Sequence, residues 1–123
     1  MRLLPREEDR LLLFLAAELA RRQRAAGLLL SQAEASALIA DEICQAARAG
    51  GSYEAVLAAG YGALAPQDVL DGVVELVPRI EVEALLADGS RLFVLHDPIG
   101  ASGPPPGQGS ARPSRQLPPR SSR

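Results

Sequence analysis

Apolar and polar positions along this chain follow two periods, and the switch between them sets out the elements. From Pro78 to Ile99 two apolar-rich runs flank Asp88-Gly89. That dipeptide favours a type I′ turn, so the stretch predicts a β-hairpin. With Asp88-Gly89 as the turn, Ile80, Val82, Ala84, Phe93 and Leu95 share one face and should meet the core. Glu81, Glu83, Leu85, Leu92, Val94 and His96 share the other, half of it apolar. A two-stranded ribbon is marginal alone in water, so both faces call for cover.

Before the hairpin the period is helical. Pro5 suits a first helical position, Glu7, Glu8 and Asp9 fall in the first turn, and Arg21, Arg22 and Arg24 in the last. Gly27 is the expected stop, and Leu4 stands at the cap where Ser, Thr or Asp is usual. Leu11-Leu12-Leu13-Phe14-Leu15 is apolar around the whole circumference. A helix on the surface of a monomer carries a stripe instead, so this helix should be covered from two sides. Ser31-Gln32-Ala33-Glu34 is a capping box opening a second helix, with Ala35, Leu38, Ile39, Ile43 and Ala46 at helical spacing up to Gly50-Gly51. Ser52 caps a third helix through Tyr53, Val56 and Leu57 to about Gly60. Pro66 starts a short fourth turn ending near Gly72, and Val73–Pro78 should be extended. The fold class is α+β: helices packed against a short antiparallel hairpin.

Beyond Gly100 the pattern stops. Pro104-Pro105-Pro106, scattered Gly and Ser, and Pro118-Pro119 leave little to bury, so residues 100–123 are expected to be a disordered tail behind a domain at 1–99. The tail holds Arg112, Arg115, Arg120 and Arg123 and no acid, while the whole chain carries a formal charge of −2. The folded part is therefore acidic, the wrong balance for a nucleic-acid footprint. The 123 residues, 47% hydrophobic, support one modest core. Acidic residues at the N-terminus spoil a targeting segment, and Leu11–Ala20 is too short to cross a bilayer and is interrupted by Glu18. A cytoplasmic protein free of membrane and nucleic acid is expected. Cys44, the single cysteine, permits no internal disulfide.

Candidate chemistry is sparse. His96 is the only histidine, and a metal site needs three or four convergent donors. In the register above it faces Glu81, an ordinary cross-strand pair. Cys44 sits on an alanine-rich helix, where a thiol behaves as a small hydrophobe. Glu81 and Glu83 alternate on a strand face and have the chemistry of an acid–base pair, but acids on the wet side of a strand usually serve solubility or contacts. Gly60-Tyr61-Gly62 follows a helix and lacks the lysine of a phosphate loop. No catalytic, cofactor-binding or metal-binding residue is assigned to this chain.

Taken together, these residues resemble the small γ subunit of bacterial urease across positions 1–99. Met1-Arg2-Leu3-Leu4-Pro5-Arg6-Glu7-Glu8-Asp9-Arg10-Leu11-Leu12 is similar to the family's opening M-x-L-T-P-R-E-x-D-K-L-L, and Ala47-Arg48-Ala49-Gly50 to its A-R-D-G. Val69-Leu70-Asp71-Gly72-Val73, Pro78, Ile80, Val82-Glu83-Ala84, Asp88-Gly89 and Val94-Leu95-His96-Asp97-Pro98-Ile99 resemble V-M-E-G-V…P-x-I-x-V-E-A…D-G…V-x-V-H-N-P-I. The chain departs at Leu4 (Thr in the family), Ser31-Gln32-Ala33-Glu34 (N-Y-P-E), Val74 (often Pro) and Asp97 (Asn). Residues 100–123 do not resemble the start of a β subunit.

The resemblance implies a scaffold that assembles with urease α and β subunits into a trimer of heterotrimers hydrolysing urea to ammonia and carbamate. It places nickel and all catalytic residues in the partner α subunit. The subunit interface is then expected at Leu11 and Phe14 of the first helix and at Leu85, Leu92, Val94 and His96 of the hairpin. The alternative is a stand-alone interaction or regulatory module that keeps the γ fold without the enzyme.

Overall fold

A computed structural model describes residues 5–100. The element order is α1 (Pro5–Ala25), α2 (Gln32–Arg48), α3 (Tyr53–Tyr61), a 3-10 turn (Pro66–Asp68), α4 (Val73–Leu76), β1 (Arg79–Leu86) and β2 (Gly89–His96). The helices pack on one face of the antiparallel β1–β2 hairpin, an α+β arrangement. The expected tail from 101 onwards, and Leu4, lie outside the described residues.

Local sequence accounts for most boundaries. The Glu34 N–H donates to Ser31 Oγ at 3.2 Å and the Ser31 N–H to Glu34 Oε1 at 2.9 Å, so the capping box forms with both bonds. Ser52 Oγ accepts from the Ala55 N–H at 3.1 Å and starts α3. Gly27 and Gly50 follow α1 and α2 at positive φ, as the sequence predicts. Leu30 and Val69 form a parallel bridge that ties the α1–α2 connection to the segment after the 3-10 turn. The core gathers Leu38, Ile39 and Ile43 of α2, Val56 and Leu57 of α3, and Phe93 and Leu95 of β2. Tyr53 stacks on Phe93 with ring centroids 4.9 Å apart.

Three expectations are corrected. Val73–Pro78 is not extended: residues 73–76 form α4, one turn that puts Val73 and, just beyond it, Val77 into the core. Positions four apart share a helix face, so a single turn buries two valines that an extended run would place on a common face only by burying Glu75 with them. The fourth turn is also shorter than expected and spans only Pro66–Asp68.

The third correction is the hairpin register. Its tip is Ala87-Asp88, with Leu86 opposite Gly89, Glu83 opposite Leu92, Glu81 opposite Val94 and Arg79 opposite His96. His96 therefore does not face Glu81. Neither tip residue has positive φ; Gly89 takes φ 120° instead, and the Asp88 carboxylate accepts from Arg91 at 2.6 Å. The strands have slipped by two residues from the predicted pairing. Side chains alternate with a period of two, so the slip leaves both faces as predicted: Ile80, Val82, Ala84, Phe93 and Leu95 are all buried.

Candidate interaction surface

The fully buried described residues of α1 are small, Ala17 and Ala20 against α2, with Leu13 half-buried on the same face. Ionic contacts beside them hold the two helices together. Asp41 of α2 has no exposed surface, and its Oδ2 accepts from Arg21 Nη2 at 2.7 Å. Arg21 also reaches Glu42 at 2.9 Å and Glu18 at 2.6 Å. Arg10 Nη1 lies 2.7 Å from Asp41 Oδ1, a close charge contact whose alignment falls short of a hydrogen bond. Burial works against the Arg21 charge, but the bonds to Asp41, Glu42 and Glu18 outweigh it and raise its pKa.

Apart from the half-buried Leu13, α1 turns its large apolar residues outward. Leu11, Leu12, Leu15 and Leu19 are each at least half exposed, Leu15 at 65%. At 100° per residue these four lie within one stripe opposite Ala17 and Ala20. Fully burying a leucine is worth about 1.5–3 kcal/mol, so each forgoes roughly half of that in the isolated chain. Leu12, Leu15, Ala16 and Leu19 line a shallow apolar depression with Glu18 and Arg22 on its rim.

A second surface runs from α1 across α2 to the hairpin. Leu11 and Phe14 border a recess with Arg10, Cys44, Gln45 and Arg48, and Leu85 borders an adjoining one with Arg10, Cys44, Arg48, Glu83 and Ala84. The structure thus brings Leu11, Phe14 and Leu85 around shared Arg10, Cys44 and Arg48. Leu92 and Val94 stand further along the outer hairpin face, Leu92 exposed and Val94 half-buried. His96 is exposed at its far end, where its N–H donates to the Tyr61 hydroxyl at 3.0 Å. The sequence reading placed the expected interface on this helix at Leu11 and Phe14, not at Leu12, Leu15 and Leu19, whose i, i+3, i+7 spacing was the available signal.

Chemistry on this surface is limited. Burial pushes the Cys44 thiol up from 9.0, with the Arg10 charge pulling part of the way back and Asp41 adding to the rise. A thiol held protonated in this way is a poor nucleophile. Burial likewise raises the Tyr53 hydroxyl, opposed by Arg91. Among the described residues no three His, Cys, Asp or Glu side chains converge on a metal-sized site, so this donor set does not fit nickel. No described helix is long and apolar enough to cross a membrane.

Comparison with known proteins gives a consistent answer. Residues 1–99 match the family model described as urease, gamma subunit. A Streptomyces avermitilis protein named urease subunit gamma/beta is 52% identical over 118 residues, covering 96% of this chain and 50% of the relative. Its namesake from Streptomyces coelicolor is 53% identical over 103 residues, 84% of this chain and 45% of the relative. The chain spans about half the length of these curated relatives.

Proposed function

Because this chain belongs to the urease gamma-subunit family, we infer that it is the small, non-catalytic subunit of a nickel urease, a scaffold against which the catalytic and β-type polypeptides assemble. The observation that carries this reading is the outward face of α1. Leu11, Leu12, Leu15 and Leu19 form a contiguous apolar stripe on a domain whose own core lies on the other side of the helix. Exposed apolar stripes of this kind mark protein interfaces. The outer hairpin face adds Leu85 and Leu92.

The names of the relatives join gamma and beta in one polypeptide, which supports a β-type partner close to this domain. In this reading the assembly is a trimer of heterotrimers acting in the cytoplasm. Nickel and the groups that activate water against urea belong to the α subunit, and this chain's contribution is contact area and placement. Co-expression with urease α and β polypeptides from the same source tests the reading: the three should co-purify in equal amounts. An active urease that assembles at full yield without this chain would overturn it and favour the stand-alone module.

A further inference from the structure

The two edges of the hairpin are not equivalent. The Asp97 N–H donates to the Pro78 carbonyl at 2.9 Å, in line with the β1–β2 register. Hydrogen-bonded pairs alternate along an antiparallel ladder. Residues 80, 82, 84 and 86 of β1 therefore turn their main-chain groups toward β2, and Arg79, Glu81, Glu83 and Leu85 turn theirs away. By the same alternation the His96 N–H points out from β2, and there Tyr61 of α3 receives it. Nothing comparable covers β1. Among the described residues, the outward main-chain groups of Arg79, Glu81, Glu83 and Leu85 make no hydrogen bond. An eight-residue strand with a bare edge is a template for strand pairing.

We propose that the free edge of β1 is completed by an extended strand from another subunit of the assembly, one that sets a basic residue beside Glu83. The inference rests on the subunit reading above and deepens it by naming the partner's chemistry. Glu81 already pairs with Arg79 along the strand, whereas Glu83 has no ionic partner among the described residues. On a neighbouring strand the residue abreast of Glu83 lies on the same outer face, where an opposite charge is favourable. The strand's alternate side chains point inward, to the recess bordered by Ala84, Cys44 and Arg48. Ala84 leaves room there for a medium-sized side chain, and the Arg48 guanidinium makes no ion pair within the described residues.

A second copy of this chain fits the edge poorly. In the antiparallel registers that pair most of the strand, self-association sets Glu81 beside Glu83 or Glu83 beside its own copy. Like charges directly opposite destabilise such a pair. The charge pattern selects a different, basic strand.

The test is amide hydrogen exchange on the full chain, free and in the co-expressed complex, paired with Glu83→Pro and Glu83→Gln. Proline at position 83 removes an outward N–H and leaves the β1–β2 ladder intact, so the isolated variant should keep its circular dichroism. The amides of Glu81, Glu83 and Leu85 should exchange at least about tenfold more slowly in the complex, and Glu83→Pro should weaken assembly by about tenfold or more. Glu83→Gln should weaken it less. Unchanged exchange at these amides, or assembly of Glu83→Pro at wild-type affinity, would overturn the proposal while leaving the subunit reading standing. If Glu83→Pro fails to fold, exchange in the wild-type complex decides alone. Homodimerisation of the free chain that Glu83→Pro abolishes would also overturn it, and failure of the wild-type chain to assemble would remove both readings.

Discussion

Asp41 and Arg21 meet at 2.7 Å across the α1–α2 seam, and Asp41 has no exposed surface there. Among the described residues of α1 only Ala17 and Ala20 are fully buried, with Leu13 half-buried beside them, and the ionic contacts to Asp41 add to this modest apolar seam. The seam decides which face of α1 points away from the core.

The two arginines are partly exposed and can return to water, whereas Asp41 cannot. Replacing both partners (Arg10→Met with Arg21→Met) strands a buried carboxylate and should destabilise the full chain by about 3–5 kcal/mol. Asp41→Asn should cost less, about 1–2 kcal/mol. Urea denaturation of the three proteins checks the order, and equal midpoints would show that the cluster does not hold α1.

Gly60 lies where α3 crosses both α2 and β2. A Cβ there would stand 2.7 Å from Leu95 Cδ2 and 2.9 Å from Ile43 Cδ1. Both neighbours are buried core side chains, so Gly60→Ala should destabilise by about 1–3 kcal/mol despite alanine's better helix propensity. Thermal melts read the effect directly.

Asp97 has φ 49°, the one non-glycine in the left-handed region among the described residues. Its turn leads Pro98 and Ile99 into the interior. Asn tolerates this conformation and a β-branched side chain does not. Asp97→Asn should leave stability within about 0.5 kcal/mol, and Asp97→Val should lower it by about 1–2 kcal/mol.

Cys44 is half-buried in the recesses shared by α1, α2 and β1. Its pKa is raised above 9.0, so less thiolate is present at a given pH than for an ordinary cysteine. Reaction of the free chain with a disulfide reagent should therefore rise with a midpoint above that value. Assembly should slow it further, by at least about tenfold if a partner covers the recesses.

What the sequence made legible follows from which signals are local. Capping by Ser31 and Ser52 is written in neighbouring residues, and both caps form. The hairpin faces survive a misplaced turn because a slip of two preserves alternation, whereas the tip depends on the Asp88–Arg91 contact and on Gly89. The α4 turn was hidden because Val73-Val74 favours strands locally, and burial of Val73 and Val77 overrides that preference. Asp41 was illegible because Asp-Glu in mid-helix reads as a solvated pair, and its partners lie on another helix. Of the expected interface residues, Leu11, Phe14 and Leu85 line adjoining recesses, whereas the exposed stripe through Leu12, Leu15 and Leu19 needed the inward alanines to define its direction.

Hydroxyl-radical footprinting of the free chain and of the co-expressed α, β and γ complex tests the central claim most directly, because it reports the exposure of each side chain. Leu12, Leu15, Leu19, Leu85 and Leu92 should react readily in the free chain and be protected in the complex, while Leu38 and Phe93 stay protected in both. Equal reactivity of the five exposed leucines in the two states would contradict the account, since the apolar faces on which it rests would then have no partner.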